Sequence, residues 1–171
     1  MPSTVETLGG RISRAKLFKD NVNMLFFAIG RTVEWANESS PPEPTGTETN
    51  IDQIIGFKKV EDMHFVVEDP IHGTLVFQDS LWRIVPEGEI VSEGCHWVYL
   101  SANIVGNELP LSSYRQIGLY SDVVPLAGYE ANTELTPAQV ESNGLLEVIT
   151  NRTVVHRASE QTDKFFIVLE F

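Results

Sequence analysis

Short apolar segments separated by turn residues constrain the fold of this chain more than any other sequence feature. The run Met24–Ile29 is uninterrupted and ends at Gly30, and its length suits a strand that is buried on both faces. Later segments alternate between apolar and polar residues with a period of two, which is typical of half-buried strands. We predict further strands within residues 63–67, 74–85, 96–104, 114–120, 145–155 and 164–171. The predicted fold is therefore mainly β (α+β), an antiparallel sheet or sandwich.

Between one and three short helices are expected beside the strands. Residues 11–23 are polar and basic and indicate either a short helix or an extended arm. Asn50 can cap a short helix whose apolar face carries Ile51, Ile54 and Ile55, and Thr136 precedes a proline suited to a first helical turn. Residues 36–49 contain three prolines and predict a long Pro-rich loop. Such a loop often binds a partner or links two elements, and a plain surface loop is the alternative.

Length and composition indicate one folded domain. The 171 residues, 42% of them apolar, can bury a core, so we predict a basic arm or short helix over 1–23 and one β-rich domain over 24–171. The first residues lack the pattern of a signal peptide, and no apolar run reaches the roughly 20 residues of a membrane span. We therefore expect neither secretion nor membrane insertion. The single cysteine, Cys95, excludes an internal disulfide.

Charge is distributed unevenly along the chain. Residues 1–33 carry five basic and two acidic side chains, whereas residues 34–147 carry four basic and 19 acidic ones, within a net charge of -12. An acidic protein lacks the clustered cations that nucleic-acid binding requires, so no nucleic-acid partner is predicted. The acidic middle favours either simple solubility or an electrostatic surface that steers docking to basic partners.

Catalytic and metal-binding patterns are weak in this sequence. The four histidines have no spacing that seats two metal ligands on one element, and the Cys95–His96 pair is adjacent in sequence only. No nucleophile elbow, phosphate-binding loop or calcium loop occurs. We predict no enzymatic activity, no cofactor and no bound metal. Trp35, Trp82 and Trp97 lie within or beside apolar patterns, so core packing is expected for them rather than ligand stacking.

Three segments carry a resemblance to a known family. Residues 26–35 form an apolar strand that runs into Gly30–Arg31 and Trp35, and a Pro-rich loop follows. Tyr114–Leu119 contains an Arg-Gln-Ile motif, and Asn151–Thr153 precedes an alternating C-terminal strand. In this order they resemble the baseplate wedge proteins of T-even-type contractile phages, specifically the eighth-gene-product wedge family, of which this chain would be a shortened relative.

The resemblance implies a structural virion protein, located in the tail baseplate after synthesis in the host cytoplasm. Its expected function is to hold neighbouring wedge subunits and to take part in baseplate rearrangement, with other wedge proteins as partners and a homodimer or several copies per wedge. A carbohydrate-binding or receptor-binding β-sandwich is the first alternative, and a hydrolase with acids from distant loops is the second. The residues expected to form a structural signature or an interface are Gly30, Arg31, Trp35, Arg115, Gln116 and Arg152.

Overall fold

The computed structural model describes residues 4–171, so residues 1–3 of the predicted N-terminal segment lie outside the described part. One α-helix, α1 (Leu8–Asp20), occupies most of that segment, which selects the helix over the extended arm. The side chain of Thr7 accepts a hydrogen bond from the Gly10 N–H at 3.2 Å and caps the helix start. Three 3₁₀ turns complete the helical structure of the described residues, and one of them begins at the predicted Thr136–Pro137 signal.

The prediction of a mainly β, antiparallel fold is confirmed, since every strand pair with a described register is antiparallel. The strands are β1 (Phe26–Gly30), β2 (Gly56–Lys59), β3 (Asp62–Glu68), β4 (Leu75–Phe77), β5 (Ser80–Ile84), β6 (Trp97–Val105), β7 (Tyr114–Ser121), β8 (Val124–Pro125), β9 (Glu134–Leu135), β10 (Val140–Ser142), β11 (Leu145–Val155) and β12 (Thr162–Glu170). They form two five-stranded sheets, with orders β11-β7-β1-β2-β9 and β12-β6-β3-β5-β4, and a two-stranded sheet of β10 and β8.

The chain divides into two compact units, and each is described by itself. Unit 1 holds the described residues through Val22, together with Glu61–Ser101 and Phe166–Phe171. Unit 2 holds Asn23–Val60 and Ala102–Phe165. The expectation of a single β-rich domain over 24–171 stays a prediction, because compactness alone does not show which parts of a chain unfold together.

In unit 2, β1 is the central strand of its sheet, and all five of its residues are buried as the unbroken apolar run predicts. Ala28 lies opposite Gly118 of β7 and Phe57 of β2, so two small residues lie beside the large Phe57 side chain. Tyr120 packs edge-on against Phe57 at 5.8 Å. The buried cluster of this unit consists of Phe26, Ala28, Ile51, Phe57, Tyr120, Val123 and Leu135.

In unit 1, α1 buries Ile12 and Ala15, and Phe18 contacts Phe171 with ring centroids 5.1 Å apart. The sheet of this unit places Val98 opposite Phe65, and both side chains are buried. This buried side of the sheet is the core of unit 1.

Two local predictions are wrong. No helix forms after Asn50, because Gln53 adopts a left-handed φ of 46° and the Ile51 N–H donates to the Tyr120 hydroxyl at 2.8 Å instead of to a helical carbonyl. The predicted strand over residues 74–85 is a hairpin of β4 and β5, because Gln78 and Asp79 both take positive φ values and reverse the chain.

The long Pro-rich loop is present as predicted. Residues 31–55, named the strap here, contain neither helix nor strand and include the whole of 36–49. No helix among residues 4–171 is both long enough and apolar enough to cross a membrane.

Candidate functional site

The strap begins with a sharp turn at the end of β1. A Cβ atom at Gly30 would lie 2.4 Å from the backbone oxygen of Asp52, which is closer than atoms of folded proteins approach. The next residue, Arg31, has a φ of 56°, and its N–H donates to the same Asp52 oxygen. Glycine is therefore required at position 30, where the two ends of the strap meet.

The Arg31 guanidinium holds this turn in place. It pairs with the Asp52 carboxylate and lies 3.7 Å from the centre of the Trp35 ring, a cation–π contact. The Trp35 indole N–H donates to the backbone oxygen of Arg152 in β11 at 2.9 Å. The indole therefore connects the strap to the edge strand of the sheet in unit 2.

Arg115 and Gln116 of β7 bind the strap at both of its ends. The Arg115 guanidinium donates to a Glu38 carboxylate oxygen at 2.6 Å and to the Thr32 backbone oxygen at 2.7 Å. The Gln116 amide oxygen accepts from the Asp52 N–H at 2.8 Å. Both side chains are buried, with 5% and 6% of their surfaces exposed.

The Glu38 carboxylate is stabilised in its charged form. Burial opposes its ionisation, but the Trp35 backbone N–H and the Arg115 guanidinium outweigh that effect, so the pKa of Glu38 is lowered. At neutral pH the Glu38 carboxylate is therefore charged, and it binds both the Trp35 N–H within the strap and the Arg115 guanidinium of β7.

All six residues selected from the sequence are thus brought into one network, named the strap cluster. It consists of Gly30, Arg31, Trp35, Arg115, Gln116 and Arg152 with their partners in the strap. Arg152 contributes its backbone oxygen, while its side chain lies 5.7 Å from the Tyr114 ring centre. The neighbouring Asn151 amide donates to the Pro42 oxygen at 2.8 Å and fixes the middle of the strap. The arrangement positions a long loop against the sheet of unit 2.

Two buried cations of unit 2 were not selected from the sequence. Arg157, whose side chain is 1% exposed, donates to Asp163 and to the backbone oxygens of Gly106, Leu109 and Pro110. No local sequence signal separates it from Arg152, because its three backbone partners are distant in the sequence.

Lys58 is the second of these cations. Its ammonium donates to Glu134 at 2.6 Å and to Glu108 at 3.1 Å. Burial favours the neutral amine, but the two carboxylates outweigh it and raise the pKa of Lys58. The sequence signal that could have identified Lys58 is a lysine next to Phe57 within a buried strand, because a buried lysine is almost always paired with an acidic group.

Cys95, His96 and His156 each have a hydrogen-bond partner within the protein. The buried Cys95 thiol donates to the Val66 oxygen at 3.1 Å, and burial raises the pKa of that thiol, so the reactive thiolate is disfavoured. His96 Nδ1 lies 2.9 Å from the Gly94 oxygen, and His156 Nδ1 lies 2.7 Å from the Ser113 hydroxyl. Within residues 4–171, no group of three or more His, Cys, Asp or Glu side chains could hold a metal ion.

The chain is similar to a protein from a phage particle. It is 30% identical to "Virion protein 3" of Enterococcus phage phiEF24C over 173 residues, which cover 97% of this chain and 95% of that protein. The class is therefore that of phage virion structural proteins.

Residues 3–171 match the family described as baseplate wedge 3 tail fiber network component, and the chain belongs to that family. The predicted class of baseplate wedge protein and the predicted location in the virion baseplate are both confirmed. The description of this family also implies that the protein interacts with other baseplate proteins.

Proposed function

We propose that this protein is a non-enzymatic connecting subunit that holds neighbouring wedge proteins and takes part in rearrangement of the baseplate. The observation that carries the proposal is the strap cluster, which fixes a long loop on a rigid sheet. Because Pro41, Pro42 and Pro44 limit the conformations of the free strap, a pinned strap loses little entropy when a partner binds. The outer side of the strap, where Val33 and Glu43 are exposed, is the proposed contact surface.

The charge of the protein favours basic partner surfaces. At least eight of its 12 Lys and Arg side chains form ion pairs with its own Asp and Glu residues. Ion pairing leaves the net charge of -12 unchanged, and the acidic side chains outnumber the basic ones two to one. Such a surface attracts basic proteins and repels acidic ones, which favours contact with unlike neighbours.

The binding experiment mixes purified protein with the other baseplate proteins of the same phage and measures affinity by calorimetry. Changing Val33→Ser together with Glu43→Lys should weaken binding at least several-fold while leaving the melting temperature unchanged. Glu160→Lys, an exposed charge reversal outside the strap, is the matched control and should change binding less. Equal effects of the two charge reversals would mean that the strap is not the contact surface.

Rearrangement and copy number require separate measurements. Lysine cross-linking of extended and contracted tails should give different neighbours for the exposed Lys16 and Lys164. Identical cross-links in both states would contradict a part in rearrangement.

We also propose a homodimer or several copies per wedge, and light scattering of the purified protein should then give a mass above that of the 19.1 kDa chain. A monomeric mass at all concentrations would contradict self-association.

A further inference from the structure

One face of the sheet in unit 1 carries aromatic side chains that are not part of its core. Residues directly opposite each other in an antiparallel sheet share a face. Trp97 lies opposite Val66, which lies opposite Ile84, and Trp82 therefore belongs to the same face two residues away. Contrary to the expectation of core packing, both tryptophans are only half-buried. Phe77 also lies on this face, because its strand partner Ser80 is two residues from Trp82.

A groove of about 180 Å³ lies on this face. Its apolar walls include Phe77, Trp82 and Trp97, and its polar lining includes Gln78, Ser80 and Glu170. The indole N–H of Trp82 lies 3.5 Å from the Phe77 oxygen, a weak contact that a ligand hydroxyl can replace. The groove thus combines aromatic surface with amide, hydroxyl and carboxylate groups.

The aromatic geometry favours one small ring over an extended flat surface. The Trp82 and Trp97 rings are 6.0 Å apart and inclined at 60°, so they cannot form a single platform. His96 covers Trp97 with a centroid distance of 3.6 Å, and the covered face of that indole is unavailable. A ligand in this groove can stack on one indole and contact the edge of the other.

The turn that carries Gln78 has an unfavourable backbone conformation. Gln78 and Asp79 have φ values of 48° and 64°, a conformation in which asparagine and glycine are preferred. Non-glycine residues in this region raise the energy of the folded state, and such positions are concentrated at binding sites. Here the turn places the Gln78 side chain at the groove.

The geometry points to a carbohydrate subsite in this groove, which binds one pyranose ring. The C–H face of the sugar stacks on Trp82, and one hydroxyl hydrogen-bonds to the Gln78 amide. Another hydroxyl donates to the Glu170 carboxylate, which Arg11 keeps ionised. Small-molecule sites in proteins share this combination of aromatic walls with a few placed polar groups. The inference is independent of the strap, which lies in unit 2.

The test uses the full chain labelled with ¹⁵N and a panel of monosaccharides: glucose, galactose, N-acetylglucosamine and rhamnose. The three tryptophans give three indole N–H signals, two from the groove and one from Trp35 in the strap cluster. We expect at least one sugar to shift the Trp82 and Trp97 signals in a saturable manner while the Trp35 signal stays in place. Replacing Trp82 by alanine should weaken binding about tenfold, and Tyr129→Ala, an exposed aromatic of unit 2, should have no effect.

Glycine substitutions in the turn separate binding from folding. Gln78→Gly removes the amide and relieves the backbone, so the protein should become more stable and bind sugar less tightly. Asp79→Gly relieves the backbone but leaves the groove lining intact, so stability should rise and binding should persist. The proposal is overturned if no sugar gives saturable shifts, if all three indoles shift alike, or if only another baseplate protein shifts the groove signals. The last result would identify a protein contact.

Discussion

Replacing Arg157 tests whether one buried cation holds two separate loops of unit 2. Arg157 lies between β11 and β12, and its guanidinium donates at 2.9 Å to Asp163 at the start of β12. It also donates to the oxygens of Leu109 at 2.7 Å, Pro110 at 3.0 Å and Gly106 at 2.9 Å, in the segment after β6. Arg157→Met keeps the length of the side chain and removes all four hydrogen bonds.

The expected loss follows from the groups that would remain. Three backbone oxygens and the Asp163 carboxylate would lose their cationic partner. The Asp163 side chain is only 14% exposed, so water replaces that partner poorly. Breaking a buried ion pair on one side destabilises a protein by about 3–5 kcal/mol. For a chain of this size that corresponds to a decrease of about 6–20 °C in melting temperature.

Urea unfolding and thermal melting measure this loss, and Arg152→Met is the matched control. The Arg152 side chain is half-buried and makes one cation–π contact to Tyr114, so its replacement should cost less than about 1 kcal/mol. Hydrogen exchange should accelerate in residues 106–113 of the Arg157 variant alone. If both variants lose the same small amount of stability and exchange is unchanged, Arg157 does not hold these loops.

Two further changes test the strap and the buried lysine. Gly30→Ala should destabilise the protein by about 1–3 kcal/mol in thermal melts, because the new methyl group meets the Asp52 oxygen, whereas Gly88→Ala, which meets no atom within 4 Å, should have almost no effect. Burial opposes ionisation of Glu134, but Lys58 and Thr133 outweigh it and lower its pKa from 4.5. The resulting stability is present above pH 4.5 and is lost as the pH falls through the lower folded-state pKa. Urea unfolding at pH 7 and pH 3 should therefore show a smaller acid loss in Lys58→Met than in the unchanged protein, and equal losses would contradict this linkage.

The strand content could be predicted from the sequence because it depends on local apolar patterns. The run that forms β1 is apolar throughout, and its strand is buried on both faces. The helix expected after Asn50 does not form, because Gln53 takes a left-handed φ of 46° that its side chain does not predict. The hairpin at Gln78–Asp79 was missed because the pair lacks the glycine that is typical of a two-residue hairpin turn. Local periodicity cannot indicate long-range partners or an unfavourable turn.

The strap cluster could be selected from a family resemblance, but its contacts could not be predicted. Trp35 meets Arg152, and Arg115 meets Glu38, across long stretches of sequence. No spacing rule connects such pairs, since the sheet order brings them together. The role of Arg157 could not be predicted for the same reason. It binds the backbone oxygens of Leu109 and Gly106, and no local pattern indicates that this segment lies next to it.

The ion pairs of the structure change the interpretation of the basic segment at residues 1–33. Four of the five basic side chains in residues 1–33 pair with acidic groups, so this segment is not a free basic arm. Exposed pairs of this kind contribute little to stability, and salt screens the self-repulsion of a protein with a net charge of -12. Raising the salt concentration should therefore leave the melting temperature unchanged or increase it, while binding to basic baseplate partners weakens. Melting and calorimetric titrations over one salt series measure both quantities. A melting temperature that falls with salt while binding stays constant would mean that the charges stabilise the fold and do not attract partners.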